Sequence, residues 1–129
     1  MSMQISFPGG VAVAAQLGEF SLLTDQPVAS GGANSAPSPY AMFLASIGTC
    51  AGFFALRFCQ QREIATEGLG LSLDIERDAE SRELRKVKIA IQLPPGFPEK
   101  YRKAIIKATD QCAVKQAIIA QPQFEVTTN

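Results

Sequence analysis

Hydrophobic and polar residues alternate along two segments in the second half of the chain, which predicts β-strands with one buried face. In residues 69–76, leucine or isoleucine occupies every second position, with small or polar residues between them. Residues 86–93 repeat the pattern with valine, isoleucine and leucine. Residues 78–81 predict a turn between the two segments, so we expect the strands to pair in antiparallel fashion.

Three shorter segments near the start of the chain are also predicted to be strands. Pro8, Gly9 and Gly10 form a hairpin-type turn between the first two. Residues 25–37 are rich in glycine, proline, serine and alanine, which is typical of an exposed loop. A last edge strand is expected near the other end of the chain, over Gln123 to Thr127. The three expected N-terminal strands are Met3 to Phe7, Val11 to Leu17 and Phe20 to Thr24.

The most apolar stretch lies between these two groups of strands and predicts a long helix. No charged residue occurs between Asp25 and Arg57, and the run from Tyr40 to Cys59 suffices for roughly 30 Å of helix. Ser38 is a suitable N-cap, and Pro39 fits the first helical turn. A helix that is apolar on nearly every side is either a membrane span or the central helix of a core. We favour the core helix, because small and polar residues interrupt it and no basic residue precedes it.

A second amphipathic helix is expected from Pro98 onward. Its apolar positions recur at a spacing of three to four residues and predict a buried face. A break is expected near Thr109 and Asp110, and either residue could cap a third, short helix over Ala113 to Ala120. The order of elements predicts a single α+β domain over residues 1–129, with a mostly antiparallel sheet wrapped around the long helix. The residues of the expected buried face are Tyr101, Ile105, Ala108 and Cys112.

The composition excludes several classes of function. Twelve basic and twelve acidic residues cancel, so the chain offers no electrostatic basis for binding nucleic acid or an anionic membrane. It has no histidine and only three cysteines, which excludes Ser-His and Cys-His catalysis, His-containing zinc sites and Cys₄ sites. No phosphate-binding glycine motif is present, so we expect neither a metal nor a cofactor. The first ten residues contain no secretory signal, and we therefore expect a cytoplasmic protein.

If the chain catalyses a reaction, cysteine is the residue best suited to it. Cys50 lies within the charge-free helix, where it could either pack as a small hydrophobic side chain or act as a redox-active thiol. Cys59 is half a helical turn out of phase with Cys50 and is expected to be inert. Cys112 would lie in the first turn of a helix, which favours the thiolate. A reactive cysteine with a second cysteine to resolve it is the pattern of a two-cysteine peroxidatic site.

The sequence around these cysteines resembles a known family. Residues 36–64, APSPYAMFLASIGTCAGFFALRFCQQREI, are similar to the helix signature of the OsmC/Ohr family of osmotically inducible and organic hydroperoxide resistance proteins. The segment TDQP at residues 24–27, the pair Gly31-Gly32, and QCAVKQAI around Cys112 fit the same family. The resemblance extends over essentially the whole chain, in its order of elements as well as in these motifs.

The resemblance implies an intertwined homodimer with two sites at the subunit interface. It implies that Cys50 is the peroxidatic cysteine, which attacks an organic hydroperoxide and becomes a sulfenic acid. It further implies that Cys112 is the resolving cysteine, which closes a disulfide that a dithiol, typically a dihydrolipoyl group, reopens. The implied function is thus thiol-dependent reduction of organic hydroperoxides in the response to oxidative stress.

The sequence departs from the family pattern at two places. The acid that follows the helix-starting proline in the peroxidase members is missing, since Tyr40 and Ala41 occupy those positions. In those members the acid helps to orient a catalytic arginine from the N-terminal strand region, yet residues 1–56 of this chain contain no arginine. Without a cation, we expect the pKa of Cys50 to be ordinary or raised. We therefore expect a weak or specialised peroxidase, with the Tyr40 hydroxyl as a polar assistant. The alternative is a non-peroxidatic module that binds a small apolar or thiol ligand at the dimer interface.

Overall fold

The computed structural model describes residues 1–129 and has an α+β fold, as the sequence predicts. The chain divides into two compact units, Met1–Ala45 and Ser46–Asn129, and the boundary falls within the long helix. All strand pairings are antiparallel, in one sheet of three strands and another of two. The sheets are therefore two separate ones rather than the single sheet that the sequence suggested. The strands are β1 (Gln4–Gly9), β2 (Ala12–Leu17), β3 (Phe20–Thr24), β4 (Gly70–Arg77) and β5 (Leu84–Gln92), and the α-helices are α1 (Pro39–Gln61), α2 (Arg102–Thr109) and α3 (Ala113–Ile119).

The Met1–Ala45 unit contains the meander β1-β2-β3 and an ordered loop. The predicted hairpin turn forms at the end of β1, where Gly10 has a left-handed backbone with φ of 57°. After β3, the buried carboxylate of Asp25 holds the loop by accepting hydrogen bonds from the backbone N–H groups of Ala33 and Ser35 and from the Ser35 hydroxyl. Gly32 lies so close to Gln26 that a Cβ would be 2.0 Å from its carbonyl oxygen. This loop is consequently built around one carboxylate and one glycine.

The helix α1 begins and ends close to where the sequence predicts. Ser38 is the N-cap, since its hydroxyl accepts a hydrogen bond from the backbone N–H of Ala41. The helix ends at Gln61, and Glu63 then adopts a left-handed backbone with φ of 55°. By length and composition, α1 is apolar enough to cross a membrane, with a mean hydropathy of 1.6, a test that core helices also pass. Its buried residues are Ile47, Ala51, Ala55, Phe58 and Cys59.

The core of the Ser46–Asn129 unit forms where α1 meets α2. Ile105 of α2 is fully buried against Ala55, Phe58 and Cys59 of α1. The strands β4 and β5 pair as predicted, and Leu71 and Leu93 pack against the same cluster. The alternation read from the sequence is observed in the burial of β4, whose even-numbered residues from Ser72 to Glu76 are exposed.

The C-terminal part differs from the sequence-based prediction in two details. A break does follow Thr109, but the N-cap of α3 is Cys112 itself rather than Thr109 or Asp110. The expected edge strand over Gln123 to Thr127 does not form, and residues 121–129 have no regular secondary structure. The side chains of Phe124 and Val126 are more than nine-tenths exposed, and no neighbouring strand pairs with their backbone.

Candidate active site

Two elements of the Ser46–Asn129 unit bring Cys50 and Cys112 together. Cys50 lies in the middle of α1, and Cys112 is the first residue of the turn from which α3 starts. The side chain of Cys112 is 2% exposed and points at α1, with its Sγ 3.8 Å from the carbonyl oxygen of Ile47. Ile47 precedes Cys50 by one helical turn, so both sulfur atoms lie on the same part of the α1 surface.

The thiol of Cys112 takes part in three hydrogen-bonding relationships. Its sulfur accepts from the backbone N–H of Lys115, which is the capping interaction that starts α3. Its single S–H proton can be directed at the carbonyl oxygen of Ile47 or at the sulfur of Cys50. Because one proton cannot serve both acceptors equally, a negative charge on Cys50 would attract it toward that sulfur.

The N-terminal end of α3 is directed at the Cys50 thiol. A hydrogen bond from the backbone N–H of Val114 makes the largest contribution to lowering the pKa of Cys50 below its ordinary value. Partial burial acts in the opposite direction, and hydrogen bonds from the Cys112 thiol and the backbone N–H of Ala113 lower the pKa further. The expectation of an ordinary or raised pKa for Cys50 is therefore wrong. It considered only cations, whereas backbone N–H groups of a different helix stabilise the thiolate.

The two cysteines differ in exposure in a way that suits different chemical roles. Cys50 is half-buried and can be reached from solvent, whereas Cys112 is buried behind it. Both thiols are free in this structure. A half-buried thiol with a lowered pKa can act as a nucleophile, and a buried thiol beside it can form a disulfide once the first is oxidised. The roles assigned to the two residues from the sequence remain predictions.

The third cysteine lies away from this pair. Cys59 is fully buried in the cluster around Ile105. Burial raises the pKa of the Cys59 thiol, and the charge of the nearby Arg62 offsets this only in part. A buried thiol with a raised pKa is chemically unreactive, in agreement with the expectation that Cys59 fills the core.

Tyr40, which the sequence suggested as a polar assistant, and Arg57 are also residues of α1. Tyr40 lies in the first turn of α1 and packs against Phe43, with their ring centroids 5.6 Å apart. It belongs to the Met1–Ala45 unit, and its role as a polar assistant to Cys50 stays a prediction. Arg57 follows Cys50 by two turns of α1 and donates a hydrogen bond to Gln60.

The groups that the sequence-based reasoning missed are the backbone N–H groups of Ala113 and Val114. The one signal in the sequence was Cys112, because a cysteine can serve as an N-cap and would then place the free N–H groups of Ala113 and Val114 in the first turn of a helix. No group of three or more His, Cys, Asp or Glu side chains in the structure could hold a metal ion.

Comparison with known proteins agrees with this arrangement of elements. The family profile described as OsmC-like protein matches residues 32–127, which is most of the chain. The protein therefore belongs to the OsmC-like family. Comparison with curated protein sequences gave no match.

Solved structures of the same fold cover nearly the whole chain. An osmotic stress induced and detoxification response protein from Psychrobacter arcticus is 21% identical, with a TM-score of 0.75 over 91% of this chain and 87% of its own. An OsmC like protein from Mycoplasma pneumoniae is 14% identical, with a TM-score of 0.70 over 99% and 93% of the two chains. An organic hydroperoxide resistance protein OsmC from Legionella pneumophila is 19% identical, with a TM-score of 0.58 over 92% and 89%.

Proposed function

We propose that this protein reduces organic hydroperoxides, with Cys50 as the peroxidatic and Cys112 as the resolving cysteine. The observation that supports this proposal is the pair of free thiols where the start of α3 meets the middle of α1, with backbone N–H groups of α3 directed at the more exposed thiol, Cys50. Membership of the OsmC-like family and the hydroperoxide-resistance description of the Legionella relative support a role in oxidative stress.

The proposed reaction uses the two sulfur atoms in succession. The Cys50 thiolate attacks the terminal oxygen of the hydroperoxide, the O–O bond breaks, and the leaving alkoxide takes a proton from water. Sulfur is thereby oxidised to a sulfenic acid and the peroxide is reduced to an alcohol. The Cys112 sulfur then attacks the Cys50 sulfur, the proton of the Cys112 thiol leaves with the hydroxide as water, and a disulfide forms. An external dithiol such as a dihydrolipoyl group restores both thiols by exchange.

The rate of the first step is proposed to be modest or confined to particular hydroperoxides. The groups that stabilise the Cys50 thiolate are two backbone N–H groups and a neutral thiol, and none of them carries a full charge. A guanidinium group would stabilise both the thiolate and the charge that develops on the peroxide oxygen more strongly. Here the N-terminal end of α3 stabilises the thiolate only and not the charge that develops on the peroxide oxygen.

The proposal is tested by peptide mapping of the reduced protein after one equivalent of cumene hydroperoxide. We expect rapid formation of a Cys50–Cys112 disulfide, which is absent from Cys50→Ser. In Cys112→Ser, Cys50 should accumulate as a sulfenic acid that dimedone traps. Cys59→Ser is the matched control and should form the disulfide as the unchanged protein does. Slow oxidation distributed over all three thiols would overturn the proposal.

The second candidate function is a binding module without peroxidase activity. The observation that favours it is that no charged group contributes to the lowered pKa of Cys50. Such a module would bind a small apolar or thiol ligand beside Cys50 and would leave the hydroperoxide unchanged. The same peptide mapping separates the two functions. A binding module should form the Cys50–Cys112 disulfide no faster than the denatured protein does.

We further propose that the protein is a homodimer. The meander of the Met1–Ala45 unit leaves large apolar side chains in water, including Phe7 at 79% and Phe20 at 67% exposure. Apolar surface of this kind is typical of an interface. Light scattering should give twice the monomer mass, and the double variant Phe7→Ser/Phe20→Ser should give the monomer mass. A monomer for the unchanged protein would contradict the proposal.

A further inference from the structure

A groove runs between α1 and α2, and its lining starts at Phe53 of α1 and extends to Arg62, just beyond the C-terminal end of that helix. It has a volume of about 500 Å³, within the usual range for small-molecule sites. Phe53, Phe54 and Phe58 of α1 form an aromatic wall of this groove. Phe53 and Phe54 follow Cys50 by three and four residues, so they share its face of the helix. The groove therefore begins about one helical turn beyond Cys50, and neither Cys50 nor Cys112 lines it.

The charges of the groove all have the same sign. Arg57 of α1, Arg62 directly after α1 and Lys107 of α2 line it, and no aspartate or glutamate does. None of these three cations forms a salt bridge, whereas four cations elsewhere on the unit do, namely Arg85, Lys88, Arg102 and Lys115. Arg57 contributes only a long hydrogen bond of 3.4 Å to Gln60. The groove thus combines an apolar wall with positive charge that has no acidic partner.

Arg62 is held differently from the other two cations. Its guanidinium lies 3.6 Å from the centroid of the Phe58 ring and donates a hydrogen bond to the Phe58 carbonyl oxygen. It is therefore fixed as a positive charge at the far end of the groove. Arg57 and Lys107 are exposed side chains, one from each of the two helices, and are able to move toward a ligand.

We propose that this groove binds a small molecule with an apolar body and a carboxylate, whose carboxylate Arg57 and Lys107 hold. Arg57 is seven residues from Cys50, which is roughly 10 Å along the helix. That distance is too long for Arg57 to stabilise the thiolate by contact, but it suits a ligand whose apolar body lies on the phenylalanines between them. The inference rests on the proposed function in one respect, namely that the bound molecule also carries the hydroperoxide group that reacts at Cys50.

The experiment measures binding without any thiol chemistry. Decanoate, decanol and decylamine are titrated into the reduced full-length protein by isothermal titration calorimetry, because the three share a chain length and differ in charge. We expect decanoate to bind, decanol to bind more weakly and decylamine to bind least. Raising the salt concentration should weaken decanoate and leave decanol unchanged, since ion pairing is screened.

Substitutions then assign the charge to its residues. Arg57→Gln and Lys107→Gln should each weaken decanoate binding by about fivefold and leave decanol binding unchanged. Lys103→Gln is the matched control, because Lys103 is exposed on α2 but does not line the groove. Equal affinity for decanoate and decanol, or an equal loss in Lys103→Gln, would overturn the inference. Because no peroxide is present, neither outcome depends on whether Cys50 reacts.

Discussion

The sulfur of Cys112 lies 3.8 Å from the carbonyl oxygen of Ile47, although the two residues are 65 positions apart in the chain. This contact fixes the start of α3 against the middle of α1. It is also the reason that backbone N–H groups of α3 reach Cys50, one turn further along α1. The reactivity proposed for Cys50 therefore depends on a helix to which Cys50 does not belong.

The first prediction concerns the pH dependence of Cys50 alkylation. Because its pKa is lowered, Cys50 should reach half of its maximal rate with iodoacetamide at a lower pH than the same cysteine does in the urea-denatured protein. Val114→Pro removes the N–H that contributes most, so it should raise the pKa of Cys50 and lower the alkylation rate at pH 7. Mass spectrometry of the Cys50 peptide over a range of pH values measures both effects.

Ala113→Pro is the graded control for that variant. It removes the weaker N–H donor, and Cys112 has an extended backbone with ψ of 120°, which is the conformation that a residue before proline prefers. Its shift should have the same sign as that of Val114→Pro and be smaller. An unchanged profile in both variants would mean that α3 does not stabilise the thiolate.

The second prediction concerns Cys59, which is buried in the core cluster. Cys59→Ala removes a buried sulfur and should reduce the free energy of unfolding by about 1 kcal/mol. It should leave the rate of disulfide formation between Cys50 and Cys112 unchanged, because its thiol is enclosed and its pKa is raised by burial. Urea denaturation and peptide mapping measure the two quantities. Slower disulfide formation in Cys59→Ala would show that the third cysteine takes part.

The third prediction compares two neighbouring isoleucines of α2. Ile105 is fully buried, whereas Ile106 is 58% exposed. Ile105→Ala should therefore cost about 3 kcal/mol of unfolding free energy, and Ile106→Ala less than about 1 kcal/mol. Because both changes remove the same atoms from the same helix, the difference reports on burial alone. Similar losses in the two variants, measured by urea denaturation, would contradict the orientation of α2.

The fourth prediction concerns acid stability of the loop around Asp25. The Ser35 hydroxyl, followed by backbone N–H groups of the loop, lowers the pKa of Asp25 to about 2. A carboxyl group with a lowered pKa in the folded state stabilises that state fully above its unfolded pKa of about 3.9. This contribution is lost as the pH falls through about 2. Asp25→Asn should be less stable at pH 5, and its loss of stability between pH 4 and pH 2 should be smaller.

Denaturation with urea at a series of pH values measures that difference. Gly32→Ala is a useful companion, because it should disrupt the same loop by collision with Gln26 and not through charge. Parallel pH profiles for the unchanged protein and Asp25→Asn would show that the carboxylate does not hold the loop.

Much of the fold could be predicted from local patterns. The alternation along β4 and β5, the charge-free run of α1 and its cap at Ser38 are properties of neighbouring residues, and the structure has these elements close to the predicted positions. The prediction of an edge strand over Gln123 to Thr127 was wrong because it, too, rested only on a pattern of neighbouring residues. Two alternating apolar residues suffice for the pattern, but a strand also needs a partner for its backbone, which the local sequence does not specify.

The candidate site was predictable in part. The type and position of Cys50 and Cys112 could be read from the sequence, and so could the isolation of Cys59. The direction of the pKa shift of Cys50 could not, because it depends on hydrogen bonds from Val114 and Ala113, which are more than sixty residues away. Similarly, Arg57 and Lys107 are ordinary exposed residues of two amphipathic helices until the packing of α1 on α2 places them along one groove.

By itself, the sequence determined which residues can do chemistry and approximately where most of the helices and strands lie. With no histidine and three cysteines, it restricted the candidate chemistry to thiols. Only the tertiary structure decided which thiol is stabilised as an anion, which is buried behind it, and which cations line a groove. The physical reason is that composition and periodicity act over a few residues, whereas electrostatic stabilisation depends on distances between elements that packing alone brings together.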